Sequence, residues 1–271
     1  MSISVFIPVF NEEKRIETML RTLQWCNEII VLDKQSFDRT REIAETYNAK
    51  VVTMPNSSAY DSSEFEYMLK YCNSEWILTF TASDVIHPKL AEEILRLTSM
   101  KDFPYDVIYV PYRRYVLGIE TKRSPWYTEN APMVVRKSII KINTTEVHSA
   151  LHFDSNRNYR IKSSNDYCLY HLTHATVDGM MDRHIRYWRG EAKGNIEIKK
   201  SFLHVLKATW KTLIVRRTFL MGWNGVMLGF AYISYFMLSF VYKWERKYSK
   251  ADSVYKDIRE KILGEWKATS K

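Results

Sequence analysis

The apolar and polar positions of the chain alternate in a regular order from its first residues. Ile3-Ser-Val-Phe-Ile reads as a buried strand ended by Pro8, and Ile16, Met19, Leu20 and Leu23 then fall on one stripe of a helix running from Asn11 to about Gln24. A second strand follows at Glu28-Ile-Ile-Val-Leu-Asp33, a helix from Asp38 to Tyr47, and a short strand at Lys50-Val-Val-Thr. The order repeats with a helix from Ser62 to Tyr71, a strand at Trp76-Ile-Leu-Thr-Phe80, a helix from Pro88 to Thr98 and a strand at Asp106-Val-Ile-Tyr-Val. Pro88 suits a first helical turn, where its missing N–H costs nothing. Strands alternating with helices predict an α/β fold on a parallel sheet with right-handed crossovers. Ligands of such sheets bind at the carboxyl ends of the strands. The places to inspect are Pro8–Glu12, Asp33–Ser36 and Thr81–Asp84.

After residue 112 the pattern loosens into short strands and loops, clearest at Ala131-Pro-Met-Val-Val-Arg and Tyr167-Cys-Leu-Tyr-His-Leu, which read as a cover over the open end of the sheet. From Thr176 the chain turns helical. Ile198, Phe202, Val205, Leu206, Trp210, Leu213 and Ile214 recur at helical spacing with Lys199, Lys200, Lys207 and Lys211 between them. A basic amphipathic helix of this kind suits an anionic membrane surface. Behind Arg216-Arg217, the stretch from Thr218 to Tyr242 is 25 residues without a charge. As one helix it would reach roughly 38 Å against a hydrocarbon core of about 30 Å. Gly222, Asn224 and Gly225 interrupt its start, and basic residues flank both ends. A re-entrant or in-plane helix pair fits that pattern better than a span, and a buried soluble helix is the remaining reading. These shifts divide the chain into 1–175, 176–250 and a polar helical tail, 251–271.

Composition narrows the classes. No glycine precedes Gly118, which excludes both the dinucleotide fingerprint and the phosphate-binding Walker loop from the sheet. Three cysteines, none in a C-x-x-C pair, point to a reducing compartment. The N-terminus lacks a basic leader, so the sheet is expected in the cytoplasm. Residues 183–250 hold 14 basic against 3 acidic residues, while the rest of the chain holds 26 against 28, so the net +9 belongs to the helical segment. Its uncharged stretch adds nothing to phosphate binding, which argues against nucleic acid as a partner. Nothing in the sequence speaks to oligomeric state.

Phe6-Ile-Pro-Val-Phe-Asn-Glu-Glu, Glu28-Ile-Ile-Val-Leu-Asp, Ser36-Phe-Asp-Arg-Thr and Glu75-Trp-Ile-Leu-Thr-Phe form an ordered series. Together they resemble the family 2 glycosyltransferases of the GT-A fold. The bacterial branch similar to the lipopolysaccharide-core glucosyltransferases is the nearer likeness, through His171-Leu-Thr-His and Arg216-Arg-Thr-Phe-Leu-Met-Gly-Trp. The resemblance implies an inverting transferase that moves a sugar from a nucleotide-sugar donor to a lipid-linked or cell-envelope glycan acceptor. Its place would be the cytoplasmic face of the inner membrane. It implies that Pro8, Phe10, Asn11, Glu12, Asp33, Lys34 and Ser83 surround the donor. Other readings of two of these are a helix-start carboxylate for Glu12 and a turn cap for Asp33.

The departures from that family are as informative. Where relatives carry Asp-x-Asp, this chain has Thr81-Ala82-Ser83 and then Asp84. The resemblance implies a divalent Mg²⁺ or Mn²⁺, yet Ser83 is a poor ligand for a hard cation. Asp84 could take over as metal ligand and catalytic group, Lys34 or an arginine could neutralise the diphosphate without metal, or the site could be degenerate, binding nucleotide or a partner without turnover. The base that deprotonates the acceptor is also displaced. Relatives show Val-His-Glu where this chain has Val147-His148-Ser149, leaving Glu146, His148 and Glu129 as candidates. His148 and His152 have helical zinc spacing but no third ligand.

Overall fold

The computed structural model describes residues 2–56, 63–141, 152–153, 155–162, 167–192 and 196–269. The first half contains β1 (Ile3–Val9), α1 (Ile16–Arg21), β2 (Glu28–Asp33), α2 (Thr40–Thr46), β3 (Lys50–Thr53), α3 (Ser63–Tyr71), β4 (Trp76–Thr79), β5 (Asp84–Ile86), α4 (Pro88–Thr98) and β6 (Val107–Val116). Then come β7 (Ile119–Glu120), β8 (Asn130–Arg136), β9 (Ile140–Lys141), β10 (His152–Phe153), β11 (Asn158–Arg160) and β12 (Leu169–Thr173). Four helices follow: α5 (Val177–Glu191), α6 (Ile198–Trp210), α7 (Gly222–Tyr248) and α8 (Ala251–Thr269).

The main sheet runs β3-β2-β1-β4-β8-β6-β12-β5, with β7 and β11 also paired to β6. Its first four strands are parallel, as the alternation predicts. Beyond them β8, read from the sequence as part of a cover, lies instead inside the sheet between β4 and β6 and is antiparallel to both, so that β6 runs in the same direction as β4. Of β8, Val134 and Val135 are buried and the other residues half-buried, and so short an apolar run does not tell a strand of the sheet from a covering one.

Strand β1 shows why this sequence takes this sheet. Ile3, Val5, Ile7 and Val9 point to one face and join α1 and α4 through Ile16, Met19, Leu20, Leu90 and Ile94. Phe6 points to the other face, with Ile30, Leu32, Met68 and Cys72. This is the two-residue period of a strand covered on both sides. Each such side chain, fully buried, contributes about 1.5–3 kcal/mol. Helix α1 is shorter than its apolar stripe predicts. Asn11 takes a left-handed conformation (φ 53°), and the chain turns before the helix begins. At α4 the expectation holds to the residue, with Pro88 in the first turn and the His87 side chain accepting from the Lys89 N–H at 3.2 Å.

In the C-terminal region α6 and α7 pack as a hairpin, joined by a π-helical turn at Lys211–Val215 and a 3-10 turn at Thr218–Met221. Gly225 permits the close approach, since a Cβ there would lie 1.7 Å from the Thr218 carbonyl oxygen. The stretch Thr218–Tyr248 is the one helix among the described residues long and apolar enough to cross a membrane, a feature consistent with membrane association. Helix α5 ties this hairpin to the sheet. Its Glu191 accepts hydrogen bonds from Tyr235 (2.8 Å), Ser239 (2.9 Å) and Lys243 (2.5 Å), all on α7. Burial works to raise the Glu191 carboxyl, and these partners, Lys243 above all, more than reverse it, leaving it below the ordinary carboxylate range.

Candidate active site

The turns after β1 and β2 are tied to each other. The Asn11 N–H donates to Ser36 Oγ at 2.9 Å, and Asn11 Oδ1 accepts from the Phe37 N–H at 3.0 Å. Asp33 is buried at 3% exposure and accepts from the Ser36 N–H at 3.0 Å. The Glu12 N–H donates to Thr40 Oγ1 at 2.7 Å. Asn11 and Asp33 thus shape the rim of the site from beneath.

Above these turns opens a cleft of about 240 Å³. Five of the residues expected to surround the donor meet there: Pro8, Phe10, Glu12, Lys34 and Ser83. Lys34 is ion-paired to buried Glu64. Glu12 is held by Arg15, whose Nε donates to it at 2.8 Å, and lies 3.7 Å from Arg183. Arg15 also donates through its other nitrogen to Ser83 Oγ at 2.7 Å. The hydroxyl at the expected metal position therefore already faces a guanidinium.

Asp84 does not line the cleft. It is 1% exposed, and one oxygen accepts from both the N–H and the hydroxyl of Thr81, at 2.7 and 2.9 Å. Its other oxygen lies 2.7 Å from His171 Nδ1, across the antiparallel pairing of β5 and β12. Both oxygens of Asp84, the metal ligand expected from the sequence, thus lie outside the cleft lining and serve a turn and a histidine. His171 does line the cleft, stacked on Tyr112 at 5.5 Å. Glu129 is exposed and outside the lining, its carbonyl accepting from the Tyr112 N–H at 2.9 Å. Glu146 and His148 lie outside the described residues.

The described side chains of the cleft do not fit a divalent cation. Mg²⁺ and Mn²⁺ want a shell of oxygen ligands, several of them carboxylate. Among the described residues no group of three or more His, Cys, Asp or Glu could hold a metal ion. Glu12 is the one carboxylate in the described lining, and its charge is already met by Arg15 and Arg183.

Apart from His174, which belongs to the His171-Leu-Thr-His motif, the far wall comes from positions that the sequence pattern does not flag. β6 contributes Arg114, the loop before β8 Trp126, and the residue after β12 His174; α5 contributes Arg183, Arg186 and Tyr187. These α5 residues stand three and four apart, the spacing of one helix face, and that basic stripe was a usable signal. Burial, with Arg183 next, pushes His174 down to about 3 and His184 down to about 4, so both are neutral at pH 7.

Residues 4–163 match glycosyl transferase family 2. The chain belongs to that family. This glycosyltransferase has the GT-A arrangement of sheet and crossover helices and is an enzyme of the nucleotide-sugar-dependent type. It is 25% identical over 236 residues to an uncharacterized glycosyltransferase of Rickettsia bellii, covering 82% of this chain and 79% of that one. Among solved structures it is similar to S. aureus TarS 1-349 in complex with UDP-GlcNAc, at a TM-score of 0.49 and 16% identity over 91% of this chain and 90% of that one. A Mycobacterium tuberculosis glucosyl-3-phosphoglycerate synthase, in complex with Mn²⁺ and UDP-glucose, gives a TM-score of 0.35 and 21% identity over 41% of this chain and 44% of that one.

Proposed function

We propose that this glycosyltransferase transfers a sugar, with inversion, from a nucleotide donor to a lipid-linked envelope glycan at the cytoplasmic face of the inner membrane. The observation that carries this reading is the position of α5. Its middle lines the cleft through Arg183 and Arg186, and its last residue, Glu191, holds α7. The donor site is thereby tied to an apolar hairpin whose basic residues suit anionic lipid. An amphiphilic acceptor resting in that lipid would present its hydroxyl near the cleft. The likeness of His171-Leu-Thr-His and Arg216-Arg-Thr-Phe to the lipopolysaccharide-core branch supports an acceptor of that class.

Inversion accords with the lining. A double displacement needs a free carboxylate nucleophile, and Glu12, the one carboxylate in the described lining, is held by two arginines. In a single displacement the acceptor oxygen bonds to the anomeric carbon as the bond to the diphosphate breaks. The acceptor proton passes to a base. His171, oriented by Asp84, is the candidate in the cleft, and Glu146 and His148 remain candidates from the sequence. The division at residues 175 and 250 is retained for the catalytic and membrane-facing parts, with α5 shared between them.

The test is release of nucleoside diphosphate from a panel of sugar nucleotides, using the full chain on anionic vesicles with and without an envelope-lipid extract. Release with one donor, stimulated by the extract, is expected. If no donor is consumed with the extract present, the reading fails.

A further inference from the structure

The cleft has an excess of positive charge without a matching anion. Its described lining holds Lys34, Arg114, Arg183 and Arg186 against the single carboxylate Glu12. Lys34 is matched by Glu64, and Glu12 by Arg15 and Arg183. Arg114 and Arg186 are left without a carboxylate among the described residues. The buried Arg114 Nε has no hydrogen-bond partner there. Arg186 lies over the Phe10 ring, 5.5 Å from its centroid. A buried guanidinium N–H is rarely left unmet, and each such group costs stability until something accepts from it. Arginine's planar fork matches phosphate oxygens in pairs.

We propose that this enzyme binds the diphosphate of its donor with an arginine wall, Arg183 and Arg186 from α5 and Arg114 from β6, in place of a divalent cation. The wall lines the same cleft as Ser83, where a metal-bound relative would place its carboxylate, and Arg15 already donates to that hydroxyl at 2.7 Å. The diphosphate needs about two positive charges nearby, and Arg114 and Arg186 supply them as fixed donors rather than as an ion. Loss of the Asp-x-Asp carboxylates follows from the same logic, since carboxylates beside arginines would cancel the wall. The proposal rests on the donor reading given above.

The experiment is calorimetric titration of the full-length protein with pyrophosphate, UDP and GDP, in EDTA and again with Mn²⁺. Pyrophosphate and at least one nucleotide should bind in EDTA with an affinity that Mn²⁺ leaves unchanged. Arg186→Ala should weaken both by about tenfold to a hundredfold, the usual worth of a charged hydrogen bond. Arg186→Lys, which keeps the charge and is the safer variant for folding, should recover part of it. Binding that requires Mn²⁺, or that is indifferent to both Arg186 variants, overturns the arginine wall and leaves the donor reading standing. Metal-free, Arg186-dependent binding of pyrophosphate without binding of either nucleotide keeps the wall and counts against the donor reading. No binding of any of the three overturns the wall.

Discussion

The sheet and the α6–α7 hairpin use the same kinds of side chain in opposite ways. In the sheet, Trp76, Phe80, Ile7 and Leu78 are all but fully buried. On the hairpin, Trp210, Phe230 and Trp223 are 61%, 70% and 87% exposed. Leu213, Ile214, Val215, Phe219 and Leu220 cluster with them at its tip. The sheet completes its core from within the chain. The hairpin does not, and exposed apolar surface of this extent belongs against another apolar phase. Local pattern makes both regions apolar and structured, and only what surrounds each distinguishes core from anchor.

The strongest way to break this comparison is to remove the tip. Changing Trp210, Leu213 and Trp223 together to Ser should lower partition onto anionic vesicles by about a thousandfold, taking about 1.5 kcal/mol per lost side chain. Thermal stability without lipid should hold. Unchanged flotation would show that the tip is not what meets the membrane. The mirror experiment is Leu78→Ala in the core, which should cost about 2–5 kcal/mol in urea unfolding while flotation of the folded protein stays as it was.

A pH series sharpens the contrast further. His174 and His184 are held down to about 3 and about 4 in the folded chain, against about 6.5 when unfolded. The unfolded state therefore binds more protons below about 6.5. Stability is full above that pH and falls as the pH drops toward the folded values. The loss should be about 2–3 kcal/mol between roughly pH 7.5 and roughly pH 5.5, read from urea midpoints. His174→Asn with His184→Asn should flatten that slope, and an unchanged slope would place the titration elsewhere. The smallest effect is expected at the join. Glu191→Gln leaves Lys243 without its anion and should cost about 1–3 kcal/mol, with pyrophosphate binding weakened if α5 depends on α7 for its position. Binding that is unaffected would make the two regions mechanically independent.

Much of the cleft was legible in advance. Pro8, Phe10, Glu12, Lys34 and Ser83 all line it, Pro8 near the end of β1 and the others after strands that the pattern located. Asp33 is expected at the donor through the resemblance, with a turn cap as the other reading, and Asp84 at the metal as one of three possibilities. In the structure Asp33 accepts from the Ser36 N–H of its turn, and Asp84 from Thr81, beside His171. A one-dimensional pattern locates a carboxylate but not the direction of its oxygens, which depends on whether a backbone N–H or a histidine is nearer than the cleft. Arg114, Trp126 and Arg186 escaped notice because they come from segments far from the motifs in sequence.

The sequence alone determined the order and kind of the elements, the parallel half of the sheet and the charge of the helical segment, because periodicity and composition are local properties. Where β8 inserts and which arginines line the cleft with Ser83 were decided by tertiary structure. Those choices depend on contacts between segments distant in sequence, Trp76 with Arg136 across β4 and β8 and Glu12 with Arg183 across the cleft, and no local pattern records them.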